Sequence, residues 1–189
     1  MLVHPSETLK LPASVVAVGA FDGVHRGHQA LIRRVLDRAE SPDTPSVVYT
    51  FDPPPRAYFH GVPVLTSLPE KLRRLEILGV DHVVVASFDA AWVSRSVEGF
   101  LEELSGLNPV EVWVGPDFRF GRDRAGDVCK LKELFTTRVL ESVKCREGKI
   151  ISSSRIRALM ARGAAVEARD LLGWSVSKEV MWNEQTRSE

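Results

Sequence analysis

The segment S-V-V-A-V-G-A-F-D-G-V-H-R-G-H, residues 14–28, decides the fold of this chain. Its first part, Ser14 to Val18, is rich in β-branched residues and predicts a short strand that is buried on both faces. Beyond the glycine-containing loop, apolar residues recur at helical spacing, at Leu31, Ile32, Val35, Leu36 and Ala39. A buried strand followed by an amphipathic helix is typical of the first unit of an α/β protein.

The same alternation continues along the chain. Further strands are predicted at Ser46–Phe51, His82–Ala86, Val110–Val114 and Thr137–Val143. Helical spacing separates them, and one helix is predicted to begin at a capping box formed by Ser67 and Glu70. The expected fold class is therefore α/β: a single domain over residues 1–173 with a Rossmann-like, doubly wound parallel sheet, followed by a polar tail at 174–189. In such a sheet a ligand binds beyond the carboxyl ends of the strands, where the strand order reverses.

Composition excludes several classes of protein. The 189 residues include 25 Lys and Arg against 25 Asp and Glu, so no global positive field indicates a nucleic-acid partner. No apolar run reaches the length of a membrane span, and the first ten residues do not look like a signal peptide. The two cysteines form no C-x-x-C motif, which favours a reducing compartment. We expect a cytoplasmic protein that binds neither membranes nor nucleic acids, and the oligomeric state stays open.

The H-R-G-H motif at residues 25–28 lies where the first strand passes into its helix. The loop lacks the Gly-Lys-Ser/Thr ending of a P-loop, and it does not match the G-x-G-x-x-G motif of dinucleotide-binding proteins. Two imidazoles in a first helical turn lie close to unpaired backbone N–H groups and the positive end of the helix dipole. Such a place favours a polyphosphate, with His25 and His28 as donors and Gly27 permitting close approach. One alternative is that these are surface or capping histidines at a helix start. Zinc binding is the other, although it needs a third protein ligand that the other histidines do not obviously supply.

A second candidate phosphate site lies at I-S-S-S-R-I-R, residues 151–157. Serines at a helix start provide hydroxyl donors beside free backbone N–H groups. Arg155 and Arg157 are two residues apart on a helix and cannot face the same way, so we expect only Arg157 to point into a shared site. The alternative is an ordinary serine cap with solvated arginines.

Five segments together resemble one known family: G-A-F-D-G-V-H-R-G-H-Q-A-L (19–31), T-F-D-P-P-P (50–55), L-T-S-L-P-E-K-L (65–72), V-G-P-D-F-R-F-G (114–121) and I-S-S-S-R-I-R (151–157). In this order they are similar to the FMN adenylyltransferase module of bacterial FAD synthetases, within the wider H-x-G-H nucleotidyltransferase superfamily. The resemblance implies a nucleotidyltransferase fold, ATP with Mg²⁺ and FMN as substrates, and FAD and pyrophosphate as products.

The resemblance also implies roles for individual residues. The groups that hold the ATP phosphates would be His25, His28, Ser153, Ser154 and Arg157. The nucleotide floor would be shaped by Gly19, Phe21 and Asp22. The surroundings of the flavin and adenine would be Pro53, Pro55, Asp117 and Phe120. The residue types alone allow another interpretation, in which Phe120 packs in the core and Asp117 is a turn residue. Either Asp22 or Asp117 could bind Mg²⁺, and the sequence does not decide between them.

The chain departs from the family pattern in ways that keep other functions open. Pro54 stands where the family usually has histidine, which removes a donor and acceptor near the expected reaction centre and a backbone N–H. Ser154 replaces a common threonine, and Ala20 a frequent asparagine. The chain could therefore bind flavin or nucleotide with weakened catalysis, or transfer a nucleotide to another phosphorylated acceptor. Bifunctional members continue into a riboflavin kinase barrel, for which the tail is too short, so we expect no riboflavin kinase domain.

Overall fold

The computed structural model describes residues 1–39 and 43–174. Its main sheet consists of β1 (Leu2–Pro5), β2 (Ser14–Val18), β3 (Ser46–Asp52), β4 (His82–Ser87), β5 (Pro109–Val114) and β8 (Thr137–Val139). All neighbouring strands pair in parallel, in the order β1-β4-β3-β2-β5-β8. The predicted parallel α/β sheet is confirmed. Because β2 has β3 on one side and β5 on the other, the strand order reverses at β2, and the loop after β2 lies at the reversal.

Helices connect the strands: α1 (Arg26–Arg38), α2 (Pro55–His60), α3 (Leu68–Leu78), α4 (Ala90–Val93), α5 (Val97–Gly106), α6 (Val128–Leu134), α7 (Ser153–Ala161) and α8 (Ala165–Leu172). A two-stranded antiparallel ladder of β6 (Arg119–Phe120) and β7 (Gly126–Asp127) follows β5, with a short 3₁₀ turn between its strands. No helix within the described ranges is long and apolar enough to cross a membrane.

The central strand β2 separates two apolar clusters. Val16 and Val18 belong to the cluster on one face of the sheet, whereas Val15 and Ala17 belong to the cluster on the other face. All four are at most 2% exposed, as expected for a strand covered on both faces. A third cluster joins α7 and α8 through residues that include Ile156, Leu159, Leu171 and Leu172.

Several short elements were not predicted, and one prediction was too long. The strand expected at Thr137–Val143 ends at Val139, because only three of its residues pair with β5. Edge strand β1, helices α2 and α4 and the small antiparallel ladder have too few residues for a periodic apolar pattern. The assignment of residues 1–173 to one domain stays a prediction. Of the tail 174–189, residues 175–189 lie outside the described part of the chain.

The predicted capping box at the start of α3 forms only in part. The hydroxyl of Ser67 accepts a hydrogen bond from the backbone N–H of Glu70 at 3.4 Å. The carboxylate of Glu70, however, binds the guanidinium groups of Arg73 and Arg74. One half of the box is therefore replaced by ion pairs along the helix.

Helix α3 must pack firmly because it lies beneath the loop after β2. Leu75 is completely buried, whereas Ile77 on the same helix is 58% exposed. We expect Leu75→Ala to lower the free energy of unfolding by about 2–5 kcal/mol, since it removes buried methyl groups and leaves a cavity. The matched change Ile77→Ala should cost less than about 1 kcal/mol. Urea unfolding measures both, and equal losses would contradict this packing.

Candidate active site

The loop that follows β2 has an unusual backbone. Phe21 has a φ of 47°, Gly23 of 84° and Val24 of 39°. A positive φ is rare for any residue with a side chain and is an outlier for a β-branched one such as Val24. Strained residues of this kind persist only where the surrounding structure fixes them, and they cluster at functional sites.

Side chains from distant segments fix this loop through its carbonyl oxygens. The carbonyl of Gly23 accepts from the guanidinium of Arg74 at 2.8 Å. That of Val24 accepts from the amide of Gln29 at 2.9 Å and from the indole N–H of Trp174 at 2.8 Å. The loop is thus held by α3, by α1 and by the residue that follows α8.

A buried lysine holds the same loop from below, and the sequence analysis assigned it no role. Lys71 donates from Nζ to the carbonyl of Ala20 at 3.1 Å, to the hydroxyl of Thr50 at 3.3 Å and to the carbonyl of Phe51 at 2.8 Å. Burial lowers its pKa to about 8, although nearby Asp52 partly opposes this effect. The ammonium therefore joins the ends of β2 and β3. The sequence did contain an indication of this buried charge, because Lys71 lies on the apolar face of α3, one turn before Leu75.

The two histidines of H-R-G-H stack on one another. Their ring centroids are 3.6 Å apart and their planes differ by 13°. His25 caps α1, and its Nδ1 accepts from the backbone N–H of His28 at 3.3 Å. Because Nδ1 of His25 is an acceptor, the neutral ring carries its proton on Nε2 and can donate it outward.

Both imidazoles are neutral near pH 7. Burial lowers the pKa of His25 to about 4, and the charge of Arg157 acts in the same direction. Burial also holds the pKa of His28 well below 6.5, with smaller contributions from His25 and Lys71. The Nδ1 atom of His28 is buried and has no hydrogen-bond partner among the described residues. The pair therefore offers neutral donors and one buried polar atom that still needs a partner.

Phe21 and two glycines shape the space around the imidazoles. The Phe21 ring meets His28 edge-on, with centroids 5.2 Å apart, and only 1% of Phe21 is exposed. It supports the imidazole from behind and has little surface left for a nucleotide. A Cβ atom on Gly19 would lie 3.1 Å from the Phe21 ring, and one on Gly27 would lie 3.2 Å from the His25 ring. Both positions therefore favour glycine.

The serine–arginine motif at 151–157 lies directly against this loop. Ser152 caps α7, and its hydroxyl accepts from the N–H of Arg155 at 3.3 Å. The hydroxyl of Ser153 donates to the carbonyl of Asp22 at 3.0 Å. The guanidinium of Arg157 forms an ion pair with the Asp22 carboxylate and donates to the carbonyl of Pro63 at 2.7 Å. The two candidate phosphate sites are therefore parts of one site.

Arg155 points the other way, as its spacing from Arg157 predicts. Its guanidinium donates to the carbonyls of Lys149 and Ile150, at 3.3 and 3.2 Å, and lies 3.3 Å from the sulfur of Cys145. Both cysteines of the chain, Cys129 and Cys145, are free thiols. Only one of the two arginines is thus available to the shared site.

The carboxylate of Asp22 is buried and already has partners on both oxygens, so it is not available as a metal ligand. The residue is 1% exposed, and Oδ1 accepts from the backbone N–H groups of Leu65 and Thr66, at 2.8 and 3.3 Å, while Oδ2 faces Arg157. A carboxylate with donors on both oxygens and a cation beside it is poorly suited to bind Mg²⁺. The other candidate, Asp117, is exposed at a turn after β5. Within the described ranges, no three His, Cys, Asp or Glu side chains lie together as a metal cluster would require.

The residues expected around the acceptor lie at the ends of the strands that flank β2. After β3, Pro53 is exposed and Pro55 begins α2. After β5, Phe120 is only 7% exposed and packs against the ring of Phe100 with centroids 4.9 Å apart. Phe120 therefore lies in the core, as its alternative interpretation has it.

Helix α2 adds two aromatic residues that the sequence analysis missed. Tyr58 and Phe59 are 43% and 56% exposed. Each meets Phe88 edge-on, with ring centroids 5.5 and 5.7 Å apart. These two rings form an exposed aromatic face beside the end of β3. Their exposure could not be inferred from the sequence, because α2 itself was not predicted.

Comparison with solved structures supports the fold. Pantoate–β-alanine ligase from Francisella tularensis is 17% identical, with a TM-score of 0.56 over 93% of this chain and 80% of that one, and shares the fold. A Streptococcus pneumoniae structure described as a macrolide-efflux protein is 29% identical, with a TM-score of 0.78 over 92% of this chain and 60% of that chain. The chain therefore shares its α/β fold with both structures.

Sequence comparison then gives the family. The FAD synthetase family model matches residues 8–155. A Geobacillus thermodenitrificans protein, provisionally named a bifunctional riboflavin kinase/FMN adenylyltransferase, is 51% identical over 94% of this chain and 99% of its own length. The Escherichia coli K12 bifunctional riboflavin kinase/FMN adenylyltransferase is 33% identical over 90% of this chain, which spans 58% of that protein. This chain belongs to the FAD synthetase family.

The low pKa of His25 makes stability depend on pH. In the unfolded chain histidine is protonated below about pH 6.5, whereas folded His25 resists protonation down to about 4. The unfolded state therefore binds more protons between these values, and the folded state loses stability as the pH falls through this range. His25→Asn retains a side-chain acceptor for the cap but cannot titrate. We expect its stability loss between pH 7 and pH 5 to be about 1–2 kcal/mol smaller than that of the wild type.

Urea unfolding at the two pH values measures this difference. His60→Asn provides a control, because it removes an exposed histidine from the end of α2. Parallel pH dependences of the wild type and His25→Asn would contradict a neutral, buried His25.

Proposed function

We propose that this chain is an FMN adenylyltransferase, which transfers AMP from ATP to FMN and releases FAD and pyrophosphate. One observation carries the proposal beyond family membership. The H-R-G-H loop and the serine–arginine motif are more than a hundred residues apart in sequence, yet contacts to Asp22 bring these two candidate phosphate sites together. That site lies where the order of the parallel strands reverses, which is where open α/β sheets bind nucleotides.

The proposed reaction is an in-line displacement at phosphorus. An oxygen of the FMN phosphate attacks the α-phosphorus of ATP, the new P–O bond forms, and the bond to the bridging oxygen breaks. Pyrophosphate leaves with that electron pair, and the FMN phosphate dianion has no proton to lose. Positioning and charge stabilisation supply the catalysis in such a transfer.

Each part of the site has a role in this proposal. His25 and His28 donate N–H groups to the phosphates from fixed, neutral rings, so no proton must be lost before they can act. Ser154 adds a hydroxyl at the start of α7, where backbone N–H groups also favour an anion. Ser153 holds that helix start against the loop, because its hydroxyl donates to the carbonyl of Asp22. Arg157 supplies the positive charge and shares it with Asp22.

The acceptor would occupy the other wall of the cleft. Pro53 and Pro55 shape the segment that leads into α2, and the exposed rings of Tyr58 and Phe59 provide a face on which a flavin could stack. Asp117 lies after β5, on the other side of β2. Phe120 would act from the core, by supporting the turn that carries Asp117.

Mg²⁺ would enter as part of the substrate. Magnesium at nucleotide sites is held mainly by phosphate oxygens and water, with one or two carboxylates at most. Asp22 is already committed to Arg157, so Asp117 is the better placed of the two candidates. The chain would work in the cytoplasm on ATP, FMN and FAD, since its two thiols are free and such cysteines persist in reducing compartments.

Pro54 supports a second candidate function. It occupies the position before α2, is buried and provides no side-chain cap, whereas histidine there would offer a polar group to the reaction centre. The chain could then bind flavin and nucleotide with little turnover, or use another phosphorylated acceptor.

The first test is FAD formation from ATP, Mg²⁺ and FMN. His28→Ala should lower kcat on the order of a hundredfold or more, because a fixed donor to the transferring phosphate is lost. The dissociation constant of FMN should change little. His82→Ala serves as a control, since it removes a histidine from the amino end of β4, whereas the proposed site lies beyond the carboxyl ends of the strands. An unchanged kcat in His28→Ala would remove His28 from the proposed site, and no FAD with both substrates bound would contradict the function.

Pro54→His tests the second candidate. If the missing imidazole limits catalysis, the substitution should raise kcat at least several-fold while the dissociation constant of ATP stays unchanged. The carbonyl of residue 54 can still accept from the backbone N–H groups of Ala57 and Tyr58 in the variant. A kcat that does not rise would show that the proline loop works without this side chain.

A further inference from the structure

Arg56 bridges the two walls of the cleft. It lies in the first turn of α2, after the proline segment, and its guanidinium is exposed. Its Nη1 atom donates to the hydroxyl of Ser154 at 2.8 Å, across 98 residues of sequence. Arg56 thus connects the wall expected to hold the acceptor with the motif expected to hold the triphosphate.

This arginine has strong unused binding capacity. A guanidinium has five N–H donors, and the single hydrogen bond recorded for Arg56 within the described ranges uses one of them. None of the ion pairs of residues 1–39 and 43–174 includes Arg56, whereas many other arginines in that part of the chain pair with a carboxylate. A neutral hydroxyl is a weak partner for a cation, so an anion that reached this place would replace it favourably.

The surroundings of Arg56 are also positive. Ser154 lies in the first turn of α7, the positive end of the helix dipole, and Arg157 lies one turn further along. Arg157 is paired with Asp22, but Arg56 adds an uncompensated charge at the same helix start. The arrangement is therefore incomplete without a multiply charged anion, and a phosphate group is the anion whose geometry a guanidinium fork matches.

The position of Arg56 decides which phosphate it meets. His25, His28 and Arg157 surround the site from the β2 and α7 side, where the triphosphate would lie. Arg56 approaches from α2, three residues before Phe59, so the two side chains lie on the same face of that helix. An aromatic acceptor that stacked on Phe59 would present its phosphate towards Arg56.

We propose that Arg56 exchanges Ser154 for the phosphate of the acceptor and bridges it to the α-phosphate of ATP. This inference rests on the proposed function, in which two anions must approach until a P–O bond forms. A guanidinium between them reduces their repulsion, and its two outer nitrogens can each bind an oxygen of a different phosphate. Arg56 therefore makes the site prefer a phosphorylated flavin to riboflavin, which has the same ring but no phosphate.

The test compares FMN with riboflavin. Flavin fluorescence gives both dissociation constants in the presence of Mg²⁺ and an α,β-methylene analogue of ATP, which cannot transfer AMP. Arg56→Ala should weaken FMN binding about 10- to 100-fold, the loss expected for a charge-assisted contact to phosphate, and change riboflavin binding less than about threefold. Arg56→Lys should restore part of the preference, because it returns the charge without the planar fork. Arg33→Ala removes an exposed arginine from α1 as the control.

Different outcomes would overturn the inference in different ways. Equal weakening of FMN and riboflavin would mean that Arg56 supports the ring face, and greater weakening of the ATP analogue would assign it to the triphosphate. Unchanged FMN binding would mean that Arg56 binds no ligand.

If the wild type makes FAD and Arg56→Ala still prefers FMN, this inference alone fails. If the wild type makes no FAD but shows an Arg56-dependent preference for FMN, the proposed function alone fails. Absence of any flavin binding contradicts both.

Discussion

A carboxylate removed from water needs partners on both oxygens, and the rest of this site depends on how Asp22 meets that need. Its donors come from the backbone at Leu65 and Thr66 and from the guanidinium of Arg157, while its own carbonyl accepts from Ser153. Three segments that are distant in sequence therefore converge on a single residue. Because a buried charge that loses one partner is strongly destabilising, these segments cannot separate without a large cost. The candidate phosphate site is thus held together by contacts within the protein itself.

Lys71 is a second buried charge whose partners hold separate segments together, on the other side of the loop. Its ammonium is satisfied by three oxygens, two of them main-chain carbonyls at the ends of β2 and β3. It therefore sets the spacing between the ends of these strands, which lead into the two walls of the proposed site. Together with Arg74 and Trp174, it accounts for the positive φ values of Phe21 and Val24. Strain in the loop is maintained by contacts that face away from the cleft, which leaves the imidazoles free to face a ligand.

The sequence was sufficient for the central strands, the longer helices and the doubly wound arrangement. β2 and β3 are continuous β-branched runs, and the apolar spacing of α1 and α5 is unambiguous, so local pattern and global fold agree there. It was insufficient for α2, whose six residues are too few for a period. It was also insufficient for Asp22 and Lys71, because their roles depend on which distant backbone groups lie beside them. Arg56 was missed for the same reason: a contact across 98 residues leaves no local pattern.

The neutral state of the histidine pair follows from these constraints and bears on the chemistry. Burial is the main cause of the lowered pKa of both imidazoles. Asp22 also keeps Arg157 close to His25, and the nearby guanidinium lowers the pKa of that imidazole further. The positive charge of the site therefore resides on arginines, which stay charged at any physiological pH. Each neutral histidine instead donates one hydrogen bond in a fixed direction. Such a division suits a reaction in which no proton has to move, since the donors stay the same from substrate to product. A site with charged imidazoles would bind the phosphates more tightly but would lose that affinity as the pH rose through neutrality.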